Sequence, residues 1–270
     1  MKHKVVAGID AGSTAIKVTL YNEDRLESRL SPTGWSPKAV ATELLREAAL
    51  GWGVRVEDLA YIVGTGYGRV SLPFVSKAMT EITCHAKGAA YLWPGVRTVI
   101  DVGGQDAKAI RVENNGKVLD FIMNDKCAAG TGRFLQVMAN ALGLDIMEIA
   151  KQELPPDQEE CSINSMCTVF AESEVIGLLN QGFSRECIML GLYRSIAGRI
   201  ATMASHIHPE MPVVFTGGVA QNQALQKVLA DKLDMPVMVP EHAVFAGSIG
   251  AALYAWEQVE KSYMGECRHG

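Results

Sequence analysis

The most constraining feature of this sequence is a repeated strand-and-turn unit. One apolar run ends in Ile9-Asp10 and a second ends in Ile100-Asp101. In both copies a glycine stands two positions after the aspartate. In each copy a second β-branched strand, a polar turn and a third strand come next. Repetition of a whole supersecondary unit at a spacing of about ninety residues predicts two lobes of similar fold.

Segments with helical spacing of apolar residues fill the intervals, and alternating strands and helices in both halves indicate an α/β protein. We predict a first lobe over residues 1–94 and a second over residues 95–250, joined at the "WPGV" segment. A closing helix, about residues 250–262, is expected to pack back on the first lobe. Helices are predicted over residues 37–50 (capped by Ser36), 81–92, 132–142, 168–179, 186–206, 223–233 and 245–259.

Composition narrows the class of protein. The chain has 270 residues, 48% of them hydrophobic and 20% charged, which is the ordinary profile of a soluble globular protein. Its net charge of −5 disfavours nucleic acid as a partner. No apolar run reaches the length of a membrane helix or of a secretory signal, so we expect a cytoplasmic protein without a membrane partner. Disulfides are uncommon in that compartment, so the six cysteines are expected to be core residues, reactive thiols or metal ligands.

Three glycine turns follow predicted strands, at residues 10–14, 101–105 and 216–218. Glycine lets backbone amides approach phosphate oxygens closely, and an aspartate at a strand end can hold hydrated Mg²⁺. Any one of these turns alone is better explained as a plain tight turn, because glycine turns are common after strands, but three in this order predict a nucleotide site. Asp10 and Asp101 are the predicted Mg²⁺ ligands, and Lys17 is a further cation. The P-loop and dinucleotide-binding glycine patterns are absent from the sequence.

These turns resemble the phosphate and adenosine loops of the actin, hexokinase and Hsp70 superfamily of ATPases, whose fold duplicates a ribonuclease H-like unit. The resemblance implies that Glu81 positions magnesium or water, and that Gly247 and Gly250 let two helices approach closely. It also implies a set of nucleotide-binding residues, namely Gly12, Ser13, Thr14, Lys17, Gly103, Gly104, Gly217, Gly218, Val219, Gln221 and Asn222.

Two cysteines stand at predicted helix starts. Cys127 precedes the helix that begins near Gly132, and Cys167 precedes the helix that begins at Thr168. A helix N-terminus offers unpaired amides and partial positive charge, which stabilise a thiolate or an anionic cluster. Alternatively, a cysteine can simply be a small buried core residue, and we prefer this interpretation for Cys84, Cys187 and Cys267. A four-iron cluster takes four thiolates, which a two-fold dimer presenting the same pair twice would supply. Cys161, in a polar stretch, is the weaker candidate for a third ligand.

Six longer motifs sharpen the resemblance: "NDKCAAGTGRF", "CTVFAESEV", "GTGYGR", "EITCHA", "VIDVGGQDAK" and "TGGVAQN". Together they are similar to the ATP-dependent activators (archerases) of 2-hydroxyacyl-CoA dehydratases. That family also includes ATPase subunits of benzoyl-CoA reductases and reductases of double-cubane cluster proteins, and it is known as the BadF/BadG/BcrA/BcrD ATPases. The similarity runs from Gly8 to about Tyr254.

The resemblance implies a homodimer with one [4Fe-4S] cluster held by Cys127 and Cys167 of each chain. It further implies ferredoxin or flavodoxin as the electron donor and an iron–sulfur dehydratase or reductase as the acceptor, with ATP hydrolysis driving the electron. Gly130 and Gly132 would link the cluster loop to phosphate. The acceptor and its acyl-CoA substrate are not indicated by the sequence.

The residue that positions the attacking water stays open among Asp106, Gln105 and Glu81, and phosphoryl transfer does not demand a strong base. Glu172 and Glu174 either contact nucleotide or form an exposed helix face. The competing functions are a small-molecule kinase of the same fold, which leaves the helix-start cysteines unexplained, and a non-redox chaperone or scaffold, for which the sequence shows no peptide-binding region.

Overall fold

A computed structural model describes residues 4–146, 161–164 and 167–266. The chain forms two compact units. The first consists of the residues up to Gly95, Glu113–Val118 and the residues from Phe245 onward, and the second consists of Val96–Val112 and Leu119–Val244. Cys267 lies outside the described residues.

The first unit contains a five-stranded sheet in the order β3-β2-β1-β4-β5. β1 is antiparallel to β2 and parallel to β4, so the chain after β1 and the chain after β4 leave the same edge of the sheet. β1 is buried along its whole length, as expected for the central strand of a sheet covered on both faces. The strands are β1 (Val6–Ala11), β2 (Ala15–Tyr21), β3 (Leu26–Pro32), β4 (Tyr61–Thr65) and β5 (Lys77–Ala78).

The second unit repeats this topology strand for strand. Its sheet has the order β10-β9-β6-β7-β8, with β6 antiparallel to β7 and parallel to β9. The duplicated α/β fold predicted from the sequence is therefore confirmed. The strands are β6 (Thr98–Val102), β7 (Ala107–Val112), β8 (Val118–Asn124), β9 (Val213–Thr216) and β10 (Val237–Met238).

The helices agree with the predicted ranges to within one or two residues, except that the last helix runs further. Ser36 precedes the first helix but its side chain makes no capping hydrogen bond, contrary to expectation. The helices are α1 (Pro37–Gly51), α2 (Glu81–Leu92), α3 (Gly132–Leu142), α4 (Thr168–Asn180), α5 (Arg185–Ser205), α6 (Gln223–Leu233) and α7 (Ala246–Glu266). In the part of the chain that is described, no helix combines the length and hydropathy needed to cross a membrane.

Glycines allow α7 to pack against α2 and β1 in the first unit. A Cβ on Gly250 would collide with the backbone carbonyl of Cys84 and lie 2.9 Å from the amide of Gly88. A Cβ on Gly8 would collide with the α7 backbone at Ser248. These contacts fix the start of α7 beside the end of β1, where Asp10 lies.

The second unit is built around a core to which α3 contributes Phe134 and Met138, α5 contributes Tyr193, α6 contributes Leu225 and β9 contributes Phe215. Cys161 and Cys187 are both buried in this core and form a disulfide, with their Cα atoms 5.7 Å apart. This corrects the sequence-based expectation, which treated the two cysteines separately and gave Cys161 a possible role as a ligand. The pairing was not visible in the sequence because 26 positions separate the two residues.

Candidate nucleotide site and cysteine loop

Asp10 is the charged centre of the first copy. Its side chain is nearly buried near the end of β1, and its Oδ2 accepts from Lys17 Nζ at 2.9 Å. The two residues are direct cross-strand partners, so the antiparallel register places the cation beside the carboxylate. Lys17 keeps 15% of its side-chain surface exposed. The predicted first-copy pair is thus brought together, with Lys17 partly exposed and Asp10 nearly buried.

The glycine turn after Asp10 presents hydroxyls to solvent. Ser13 and Thr14 are both exposed, while Thr33 holds the turn from behind. The Thr33 hydroxyl donates to Gly12 O at 2.8 Å, and its amide donates to Thr14 O at 3.0 Å. Small hydroxyl residues on a fixed backbone are suited to donate to phosphate oxygens.

The start of α2 contributes two further residues to this copy. Glu81 is the first residue of the helix, after Thr80, whose hydroxyl accepts from the Thr83 amide. His85 lies one turn further and is buried. A Cβ on Gly247 would lie 2.8 Å from His85 Nε2 and 3.2 Å from Asp10 Oδ2, so imidazole and carboxylate converge on the same glycine. The sequence analysis missed His85, although it lies within the quoted "EITCHA" motif.

Cys84 is excluded from solvent in the region around Asp10. The pKa of its thiol is raised to about 12, chiefly by burial and also by the Asp10 carboxylate, while a hydrogen bond with Thr65 and the Arg69 guanidinium act in the opposite direction. The thiol is therefore neutral and unreactive at ordinary pH, which supports its interpretation as a core residue.

Asp101 is the charged centre of the second copy, and its carboxylate is enclosed. Lys108 Nζ lies 3.3 Å from Oδ2, and the Thr216 hydroxyl donates to Oδ1 at 2.9 Å. Lys108 also pairs with Asp106 at 2.9 Å, and its side chain is only 2% exposed. Asp101 and Lys108 are cross-strand partners seven positions apart, as are Asp10 and Lys17. The sequence analysis missed Lys108, which this Asp-x6-Lys spacing could have revealed.

The second copy also has a tight glycine turn on each side of its aspartate. The Gly103 amide donates to Asp106 O at 3.0 Å, and Gln105 is exposed at the tip next to Gly104. Gly217 has a φ of +88°, and a Cβ there would lie 3.0 Å from Asp101 Oδ1. Only glycine fits such a backbone beside the carboxylate.

The predicted adenosine loop continues through Gly218 and Val219 into α6. Gln221 is exposed, but Asn222 is buried and caps α6. Its side-chain oxygen accepts from the Leu225 amide at 2.8 Å, and its amide donates to the Tyr193 hydroxyl at 2.9 Å. The structure thus gives Asn222 a capping role, and its contact with nucleotide stays a prediction.

Cys127 lies in an exposed loop that the Asn124 side chain organises. The Asn124 amide donates to Cys127 O at 3.0 Å, and its oxygen accepts from the Cys127 amide at 3.3 Å. Thr131, which is fully buried, closes the other end of the loop by donating through its hydroxyl to Ala128 O at 2.6 Å. The cysteine is thus exposed on a loop whose two ends are held.

The same loop is bonded to the second glycine turn. The Gly132 amide donates to Gly103 O at 2.9 Å, and the Arg133 amide donates to Gly104 O at 2.8 Å. A Cβ on Gly132 would lie 3.2 Å from Gly103 O and 3.3 Å from Val219 Cγ2. Gly130 is buried with a φ of +89°. Gly132 therefore contacts the predicted phosphate loop through its backbone.

Cys167 is the N-cap residue of α4 and is exposed. Glu174 bonds the amide of Asn164 at 3.0 Å, which ties α4 to the segment 161–164. α4 is apolar on its outer side as well, because Val169, Phe170 and Ile176 are 67%, 68% and 47% exposed. Exposed apolar side chains in such a group are typical of a protein contact surface.

Two sheets of identical strand order, each with an Asp-Gly turn and a cross-strand lysine, define the class of an actin-like ATPase. The chain belongs to the BadF/BadG/BcrA/BcrD ATPase family, whose model matches residues 7–255. It is therefore an ATPase.

Three members of known name or structure are similar to this chain over nearly its whole length. The chain is 43% identical over 260 residues to the (R)-2-hydroxyglutaryl-CoA dehydratase activating ATPase of Acidaminococcus fermentans, covering 94% of this chain and 98% of that one. It is similar to the solved activator of the 2-hydroxyisocaproyl-CoA dehydratase from Clostridium difficile with bound ADPNP, with a TM-score of 0.87, 38% identity and 97% coverage of both chains. It is also 34% identical over 279 residues to a benzoyl-CoA reductase subunit of Thauera aromatica, covering 95% of each chain.

Proposed function

We propose that this ATPase is a dehydratase activator, which uses ATP hydrolysis to transfer single low-potential electrons from ferredoxin or flavodoxin to an iron–sulfur 2-hydroxyacyl-CoA dehydratase or a related reductase. The observation that carries the proposal is the pair of backbone hydrogen bonds from Gly132 and Arg133 to Gly103 and Gly104, which joins the Cys127 loop to an ATPase glycine turn. Relatives with activator names across nearly the whole chain support it.

The described cysteines fit a [4Fe-4S] cluster shared by two chains. Cys127 and Cys167 are both free and exposed, and both belong to the second unit. Cys167 caps α4, where helix amides favour a thiolate. A two-fold homodimer would present four such thiolates, and the exposed apolar side of α4 would become its contact surface. The cluster, when bound, would supply one-electron transfer.

Each glycine-turn copy offers groups that would bind phosphate or Mg²⁺. Ser13 and Thr14 offer hydroxyls, Lys17 offers a cation, and Asp10 is the more accessible Mg²⁺ ligand. The bound ADPNP of the Clostridium difficile activator supports a nucleotide site in this family. Glu81 stands at the start of α2, where it could orient water, and Gln105 is the exposed residue of the second turn.

Coupling follows from the covalent and hydrogen-bonded continuity of the loop. A shift of Gly103 and Gly104 on nucleotide exchange would be transmitted to residues 130–133 through two backbone hydrogen bonds. Gly132 has little room, so a larger side chain there would part the two segments. ATP can do work on the cysteine loop only to the extent that its affinity differs between the two loop arrangements.

The ligand assignment is tested by anaerobic purification followed by iron and acid-labile sulfide analysis. We expect about four irons per dimer in the wild type. Cys127→Ala and Cys167→Ala should lose them, whereas Cys84→Ala, which removes a buried free thiol in the other unit, should retain them. An iron-free wild-type protein that hydrolyses ATP normally would refute the electron-transfer proposal and favour a kinase-like role.

Gly132→Val tests the coupling. We expect the variant to hydrolyse ATP within a few-fold of the wild-type rate but to lose most ATP-driven reduction of the acceptor, measured by its absorbance or by dehydratase activity. Retention of wild-type electron transfer would contradict the coupling role of this loop. Gly177→Ala, where a Cβ meets nothing within 4 Å, is the matched control.

A further inference from the structure

The "GTGYGR" motif occupies the same place in the first copy as the predicted adenosine loop in the second. Thr65 is the parallel-strand partner of Asp10, and Thr216 is the parallel-strand partner of Asp101. A glycine with positive φ follows each threonine, +80° at Gly66 and +88° at Gly217. Because β4 and β9 are equivalent strands, both Thr-Gly turns leave the sheet edge that carries the aspartate.

The two turns also approach their aspartates in the same manner. A Cβ on Gly66 would collide with Asp10 Oδ1 and lie 2.8 Å from Ala11 O. A Cβ on Gly217 would meet Asp101 Oδ1 and Val102, the residues at the corresponding positions. The Gly68 amide adds a hydrogen bond to Ala11 O at 2.9 Å. The Thr65–Arg69 turn of the first copy therefore packs directly against Asp10 and Ala11.

Arg69 adds a positive charge to this turn. Its guanidinium folds back over the turn and donates to Gly66 O at 2.9 Å. Its influence on the Cys84 thiol, in the direction opposite to that of Asp10, places it within electrostatic range of the same buried region. Tyr67, two residues before Arg69, and Val70, directly after it, are 84% and 81% exposed, so the turn is not packed over by the rest of its unit.

Arg69 differs from Lys17 in the group to which its side chain is bonded. Lys17 is already bonded to Asp10, whereas the Arg69 hydrogen bond goes to a neutral carbonyl. A guanidinium has five N–H donors in a planar fork that matches phosphate geometry, so one carbonyl uses only part of its capacity. An arginine that reaches the transferred phosphoryl group accelerates nucleotide hydrolysis strongly.

We propose that Arg69 is a phosphate-contacting catalytic residue of this ATPase, presented by the Thr65–Arg69 turn, and that it compensates the charge that develops on the phosphoryl oxygens during hydrolysis. The turn thus carries an arginine four residues after its threonine, where the equivalent position of the second copy is Ala220. This proposal concerns ATP hydrolysis alone, so its failure leaves the electron-transfer proposal standing.

Arg69→Ala tests the proposal through steady-state ATP hydrolysis. We expect kcat to fall by about 10²–10³-fold with a smaller change in KM, because the charge matters most in the transition state. Guanidinium ion at millimolar concentration should restore part of the lost kcat in Arg69→Ala. Arg69→Lys should remain slow, because an ammonium cannot form the bidentate contact.

Arg46→Ala is the matched control, since Arg46 forms a surface ion pair on α1 of the same unit and is 53% exposed. It should hydrolyse ATP at the wild-type rate and show no rescue by guanidinium. Wild-type kcat in Arg69→Ala would overturn the proposal. A slow Arg69→Ala protein with a lowered thermal midpoint and no guanidinium rescue would also overturn it, since Arg69 would then only brace the turn.

Discussion

The two copies of the Asp-Gly turn share their backbone design but differ in how open their charges are. Lys17 pairs with Asp10, and its side chain is 15% exposed. Lys108 is 2% exposed and bridges Asp101 and Asp106. Duplication preserved the cross-strand register, while one extra carboxylate closed the second copy. Ala15 occupies in the first copy the position of Asp106 in the second.

This difference suggests a division of labour. The enclosed network of the second copy holds the Gly103-Gly104 turn, to which the cysteine loop is bonded. The first copy exposes Ser13 and Thr14, and Lys17 is partly exposed beside Asp10. We therefore expect substitutions in the second copy to affect stability first, and those in the first copy to affect ATP chemistry first.

The strongest test compares Asp101→Asn with Asp10→Asn. Asp101→Asn should lower the free energy of unfolding by about 3–5 kcal/mol, because it removes one partner of a buried ion pair. Asp10→Asn should cost less stability, since the Lys17 that it leaves can reach water, but it should abolish most Mg²⁺-dependent ATP hydrolysis. Urea unfolding followed by tryptophan fluorescence, together with ATPase assays, measures both effects.

Asp58→Asn is the control for that comparison, because Asp58 forms a surface pair with Arg55. It should change neither stability nor activity measurably. Equal losses of stability in Asp101→Asn and Asp10→Asn would show that the two copies are equally enclosed, and the division of labour would be wrong.

A smaller effect should distinguish shared from divergent features. Gly66→Ala and Gly217→Ala should destabilise by similar amounts, about 2–4 kcal/mol, since each adds a Cβ against backbone and carboxylate at positive φ. Gly53→Ala has a φ of +70° but open space, so it should cost only about 1 kcal/mol. Thermal unfolding of the three variants measures this, and a Gly66→Ala protein as stable as Gly53→Ala would contradict the close approach to Asp10.

The smallest effect concerns alkaline pH and is absent at neutrality. Burial raises the pKa of Cys84 to about 12 from 9.0 in the first unit, and that of Tyr193 to about 12 from 10.0 in the second. Because the folded state favours the protonated groups, stability is retained below the unfolded pKa and declines as the pH rises toward 12.

Cys84→Ala should therefore flatten the decline from about pH 9, and Tyr193→Phe only from about pH 10. Unfolding midpoints measured from pH 8 to pH 11.5 test this. A variant whose decline matches the wild type would show that its group contributes no such linkage.

The sequence was informative where local patterns decide the structure. Alternation of apolar residues and the repeated Ile-Asp-x-Gly predicted the strands, most helix limits and the duplicated fold. It did not reveal contacts that depend on tertiary packing. The disulfide between Cys161 and Cys187 and the convergence of His85 on Asp10 join segments far apart in the chain.

Residues at equivalent positions of the two copies also differ in how deeply their side chains are buried. Lys17 and Lys108 occupy equivalent positions after their aspartates, yet only the neighbouring Asp106 makes the second an enclosed bridge. Asn222 follows a glycine turn and caps α6, a role that the residue pattern did not indicate, while its contact with nucleotide stays a prediction. Such assignments depend on which way a side chain turns, and the pattern of residue types does not encode that.

The outward apolar residues of α4 have a consequence for handling the protein. Val169 and Phe170 expose about two-thirds of their surfaces in the single chain, directly after Cys167. A chain that keeps this face in water is prone to self-association and precipitation. If, as proposed, a cluster at Cys127 and Cys167 joins two chains and α4 forms their contact surface, yield and solubility during production should depend on iron and sulfide supply, because cluster assembly would cover this apolar face.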